Sequence, residues 1–103
     1  MIKEIYLIND PSLNRYKIGI SKNARNRIKE LQTGNSTKLE LISVYQSDIY
    51  FKIEKSLHRR YKQYNTCGEW FSLPYNEVSS FVDNCSKLES NIKYLIDNDN
   101  PFI

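Results

Sequence analysis

Residues 3–34, KEIYLINDPSLNRYKIGISKNARNRIKELQTG, carry the reading that decides the fold. Lys3 to Ile8 and Tyr16 to Ile20 are short runs of aliphatic and aromatic side chains, the composition of strands. Between them lie Asn9, Asp10, Pro11, Ser12 and Asn14, residues that favour turns, so the two runs form an antiparallel hairpin. Asn23 is suited to cap a helix reaching about Gln32, with Ala24, Ile28 and Leu31 as its apolar stripe and Gly34 as its stop. Downstream, Leu39 to Gln46 reads as a third strand. Ser47 or Asp48 then caps a second helix to about Lys62, with Tyr50, Ile53, Leu57 and Tyr61 at helical spacing. Residues 63–69 read as a polar loop, with Glu69 on the surface. After it, Trp70 and Phe71 close the core over the second helix. Pro74 and Asn76 lead into a C-terminal helix to about Asn98, broken near Ser86 and striped by Val78, Phe81, Val82, Cys85, Leu88, Ile92, Leu95 and Ile96. The expectation is an α+β fold: a three-stranded antiparallel sheet flanked by helices, with a C-terminal helix.

At 103 residues the chain is one domain, with its core over about 3–75 and the last helix over about 76–98. A hydrophobic content of 40% and a mean hydropathy of -0.61 support a modest core, much of it aromatic. Three Gly and three Pro exclude a loop-dominated or collagen-like chain. No apolar run approaches the roughly 20 residues of a membrane span, and the first residues lack the layout of a signal peptide. The expected location is intracellular, with no membrane partner. Cys67 and Cys85 fit neither a metal-ligand spacing nor a disulfide framework, and they read as free thiols. Charge is divided along the chain. Residues 1–62 hold 13 Lys/Arg against 6 Asp/Glu, whereas residues 63–103 hold 2 against 6. A basic part of this kind points to a polyanionic partner.

Some polar residues stand where packing alone would not put them. At about 100° per residue, Arg27 lies about 60–70° from the centre of its helix stripe, bordering the buried face. Glu54 lies about 60° from the centre of the second stripe, and His58 falls on the same side one turn later. Arg25, Lys52, Lys55, Arg59 and Lys62 form basic flanks suited to DNA phosphates.

Five segments in order give these residues a context: Glu4-Ile5-Tyr6, Tyr16-Lys17-Ile18-Gly19, Leu31-Gln32-Thr33-Gly34-Asn35, Glu54-Lys55-Ser56-Leu57-His58 and Gly68-Glu69-Trp70-Phe71. Together, over roughly residues 3–75, they resemble the GIY-YIG endonuclease superfamily, closest to a small branch of phages and large DNA viruses with a Tyr-Lys-Ile-Gly second motif. Two departures stand out. Glu4 replaces the glycine that opens the first motif, and Lys17 stands where the second motif has tyrosine. Adjacent strand residues face opposite ways, so either Lys17 or, after a one-residue slip, Tyr16 faces the site. Lys17 keeps the spacing to Gly19 and Arg27 and is preferred. The family's late asparagine has an imperfect counterpart in Asn65.

The resemblance implies metal-dependent cleavage or nicking of duplex or branched DNA. It assigns Glu54 to one Mg²⁺ or Mn²⁺ ion and Arg27 to the scissile phosphate. Tyr6 would align or deprotonate water with its pKa lowered by Lys17, and His58 would position water or touch a phosphate. Two other classes compete. A module of the same fold that grips DNA without cutting it would have Glu54 tied up by Lys55 or Arg59. A protein-interaction domain or homodimer would present an exposed apolar face on Leu88, Ile92 and Leu95 of the last helix.

Overall fold

A computed structural model describes residues 1–98 of the chain. The hairpin forms as read: β1 (Lys3–Asp10) pairs antiparallel with β2 (Arg15–Ser21), with Tyr6 opposite Gly19 and Ile8 opposite Lys17. Its turn is stapled by Asp10, which accepts from the Ser12 amide at 3.2 Å and from Arg15 Nε at 3.3 Å, while Asn14 takes a positive φ of 49°. Helix α1 (Ala24–Thr33) is capped by Asn23, whose side chain accepts from the Asn26 amide at 3.1 Å. Strand β3 (Glu40–Ser47) pairs with the other edge of β1.

The sheet has five strands rather than three. Beyond α2 (Tyr50–Arg60) and a short 3-10 turn (Lys62–Tyr64), the expected polar loop instead folds into β4 (Asn65–Cys67), which pairs with β5 (Trp70–Phe71). The strand order is β3-β1-β2-β5-β4, and every pairing is antiparallel. Strands of two or three residues carry too little alternation to be read from sequence, and Gly68 at φ 55° makes the tight turn joining them.

The two sheet faces have different covers. Ile5, Leu7, Ile18 and Phe71 pack on one side beneath Ile53, Leu57 and Tyr61 of α2, and beneath Phe81, Cys85 and Ile92 of a later helix. Tyr6 and Ile8 pack on the other with Ala24, Leu39 and, half-buried, Ile28, Leu31 and Trp70. Trp70 and Phe71 are neighbours on one strand and therefore point to opposite faces. Only Phe71 closes the core over α2, where it meets the His58 ring edge-on at 5.0 Å between centroids.

Three other expectations are corrected. Neither Ser47 nor Asp48 caps α2, which starts at Tyr50 without a side-chain cap. Ser47 Oγ instead bonds Glu89 and accepts from the Ile49 amide, and Asp48 pairs with Lys93 at 3.1 Å. Helix α2 also stops at Arg60, so Lys62 belongs to the following turn. The C-terminal segment breaks at Ser80, not near Ser86, into α3 (Tyr75–Ser79) and α4 (Phe81–Asp97). Ile92 is buried and Leu88 packs on the core, so these two of the three residues read as a candidate dimer face complete this chain's own interior, while Leu95 is half-buried outside both clusters.

Candidate functional site

The site forms at the edge of β2, where the strand runs on past its short partner β5. The β2–β5 ladder covers only Tyr16 and Lys17, opposite Phe71 and Trp70. Ile18 comes next and finds other partners. Its amide donates to the Glu69 carbonyl at 3.1 Å, and its carbonyl lies 3.2 Å from His58 Nε2. A carbonyl can only accept, so Nε2 carries the proton and donates. One residue of the strand edge thereby brings together a side chain from α2 and the turn before β5.

Glu54, His58 and Glu69 meet there, each offering a ligand atom within 4.8 Å of the others. Glu69, expected on the surface, is the residue that sequence reasoning missed. Asn65 holds its turn, donating through Nδ2 to the Gly68 carbonyl at 2.8 Å and the Trp70 carbonyl at 3.2 Å. Glu54 Oε2 lies 4.0 Å from His58 Nε2, and Glu54 pairs with neither Lys55 nor Arg59. Burial pushes the Glu54 carboxyl above the usual carboxylate range; Glu69 pushes the same way, and His58 and Lys17 oppose. Such a carboxylate gains from a cation beside it. The two carboxylates offer the hard oxygen donors that a divalent ion takes. His58, committed through Nε2 to Ile18, serves as an anchor.

On the opposite face, register settles which motif residue lies beside Tyr6. Lys17 shares the face of Tyr6, Ile8 and Trp70, while Tyr16 packs on the far side. Lys17 Nζ reaches Glu69 Oε1 at 3.0 Å and sits 5.5 Å from the Trp70 ring centre, and Arg15 stacks on the same ring at 4.1 Å. Lys17 therefore joins the carboxylate cluster and not the phenol. The cation beside the Tyr6 hydroxyl is Arg27, which also pairs with Glu30 at 3.0 Å. Burial raises the Tyr6 phenol above its ordinary range, with Arg27 opposing and the Glu69 and Glu54 charges adding to the rise. The expectation of a phenol lowered by Lys17 is corrected on both counts.

The tyrosine reaches this position because residue 19 is glycine. A Cβ built there would lie 2.6 Å from Tyr6 Cζ and closer still to the hydroxyl oxygen. Glu4 has a role that its departure from the glycine motif obscured. Its Oε1 accepts from the Ala24 amide at 2.7 Å, tying the first turn of α1, and with it Arg27, to β1. The basic flank stays outside. Arg25, Lys52, Lys55, Arg59 and Lys62 are all exposed, and none has a carboxylate partner among the described residues.

The model of the T5orf172 domain matches residues 4–86, from β1 into α4. This chain belongs to the T5orf172 domain family. The match corrects the GIY-YIG resemblance, since the family that spans the domain is a different one. The short motifs misled for a physical reason: a tyrosine lying over a cross-strand glycine, followed by a capped helix, is a packing solution open to any hairpin of this shape. The T5orf172 domain is associated with nuclease-like or DNA-binding function in phage and viral proteins. A protein of Invertebrate iridescent virus 6 with the description "Uncharacterized protein 460R" is 29% identical over 72 residues, covering 68% of this chain and 33% of its own length. The chain thus spans about a third of that relative. No solved structure matches it. No helix among the described residues is long and apolar enough to cross a membrane.

Proposed function

We propose that this T5orf172 domain hydrolyses DNA phosphodiester bonds with the help of one divalent cation. The observation that carries the reading is the convergence of Glu54 and Glu69 at the open edge of β2 with Lys17 alongside. Arg27 and Tyr6 add a fork of donors and a phenol on the neighbouring face. In this reading Glu54 and Glu69 hold the ion, Mg²⁺ or Mn²⁺, which when bound activates water and steadies the leaving oxygen. Arg27 binds non-bridging phosphate oxygens through its planar fork. Tyr6 keeps its proton at neutral pH and orients the attacking water or the phosphate. Lys17 pairs with Glu69 and places a positive charge beside the carboxylates, where a phosphate would approach. His58 holds the edge of β2 in place through Ile18. Arg25, Lys52, Lys55, Arg59 and Lys62 track the strands. An intracellular location suits both the DNA substrate and the free thiols of Cys67 and Cys85.

One observation favours a binding-only module. The Lys17–Glu69 pair at 3.0 Å already neutralises one of the two carboxylates without an ion. Two assays separate the readings: nicking of supercoiled plasmid with Mg²⁺ or Mn²⁺, wild type against Glu54→Ala, and a gel-shift of the same two proteins with branched and linear DNA. Cutting by the wild type alone supports the hydrolase. DNA binding by both proteins without cutting supports the binding module.

A further inference from the structure

We infer that Phe51 is a stacking platform for an unpaired base, so that the site takes DNA whose strands are locally separated. This deepens the reading above and rests on it. Helix α2 buries Ile53 and Leu57 and half-buries Tyr50, yet its Phe51 side chain is left out of both cores. Phe51 is 64% exposed.

Its neighbours on the helix suggest a use for the ring. At about 100° and 1.5 Å per residue, Phe51 lies about 60° around the helix from Glu54 and about 4.5 Å along it. It lies about 40° from Lys55 on the same face. Lys52 and Lys55 are exposed and without carboxylate partners among the described residues, so the ring has two free cations to one side of it, with Lys55 the nearer around the helix. A cationic track with an exposed aromatic beside it is the arrangement that binds single strands, since every base offers a flat face while duplex bases are already stacked on one another.

A second observation concerns the same ring. A cavity of about 300 Å³ is lined by Phe51 with Met1, Asp48, Ile49, Tyr50 and Lys52. Its size is at the lower end for small-ligand sites. Its one carboxylate, Asp48, is neutralised by Lys93 at 3.1 Å, and Lys52 remains available to a phosphate at the rim.

The test is fluorescence anisotropy of a labelled single-stranded oligonucleotide and of its duplex, in chelator so that nothing is cut. The proteins are the full chain as wild type, Phe51→Ala, Phe51→Trp and Lys55→Ala, each checked for an unchanged melting curve. Phe51→Ala should weaken single-strand binding about tenfold or more and leave duplex binding within about twofold, and Phe51→Trp should restore it. Lys55→Ala should weaken both probes alike. An equal loss on both probes for Phe51→Ala, or no loss on either, overturns the inference while leaving the hydrolase reading standing. A wild type that binds neither probe overturns both.

Discussion

Replacing Gly19 by alanine tests the packing that sets the Tyr6 hydroxyl beside Arg27. In most strand positions this substitution helps, because it removes unfolded-state freedom worth about 0.4–1 kcal/mol. Here the new Cβ would meet Tyr6 Cζ at 2.6 Å and Cε1 at 3.1 Å. Ordinary contact begins near 3.4 Å, so the ring would have to retreat by about 0.8 Å. It has little room to do so. Tyr6 is 2% exposed and is packed against Ile8, Ala24, Leu39 and Trp70. Overpacking of this kind costs about 1–3 kcal/mol, leaving a net loss of about 1–2 kcal/mol and a drop in Tm of roughly 4–15 °C. The phenol is also displaced from Arg27, so cleavage or DNA affinity falls with stability. Thermal melts of Gly19→Ala, Tyr6→Leu and the double variant form the cycle that isolates the contact. Leucine lacks the Cζ and hydroxyl atoms, so alanine at position 19 should become neutral or stabilising in that background. Gly34→Ala is the control, since a Cβ there meets nothing within 4 Å. An unchanged or raised Tm for Gly19→Ala, or the same loss in the Tyr6→Leu background as beside the native tyrosine, would refute the reasoning.

Other predictions follow from the site. Glu54→Ala and Arg27→Ala should each abolish plasmid nicking while far-UV circular dichroism stays native, and full activity in either would remove that residue from the mechanism. Because the Glu54 carboxyl is raised in the folded state, its contribution to stability is present below its unfolded pKa and lost as pH rises through the folded one. In metal-free buffer Glu54→Gln should therefore melt above wild type at about pH 8, with the advantage fading toward about pH 4. Asp10 carries the opposite sign. Ser12 and Arg15 hold its carboxyl below the usual range, so its contribution is present at neutral pH and lost on acidification through that lowered pKa, and Asp10→Asn should flatten the acid limb of a Tm–pH curve. Glu4→Ala, by freeing the Ala24 amide, should cost about 1 kcal/mol and reduce activity through Arg27, whereas Glu4→Gln should keep most of both. DNA affinity should fall steeply between about 50 and 200 mM salt; a flat response by filter binding would argue against phosphate tracking.

Local chemistry determined much of this molecule. The β1–β2 hairpin, the Asn23 cap, the Gly34 stop, the third strand and the α2 stripe were all legible, because each depends on residues near one another in sequence: turn formers, a capping side chain, an apolar period. Arg27, Glu54 and His58 were legible for the same reason, as polar residues at the borders of apolar stripes. What escaped the sequence depends on pairing at a distance. The two- and three-residue strands β4 and β5 exist because β2 offers them an edge, and their own residues carry too short a pattern to announce it. Glu69 looked like surface because its partners, Lys17, Glu54 and His58, lie 52, 15 and 11 positions away and are brought to it by the backbone of Ile18. Whether Lys17 or Tyr16 shares the sheet face of Tyr6 turned on strand register, which sequence leaves open by one residue and the Tyr6–Gly19 pairing fixes. Local sequence thus marked Arg27, Glu54 and His58 as candidates, and the tertiary structure decided which residues meet, adding Glu69 to them.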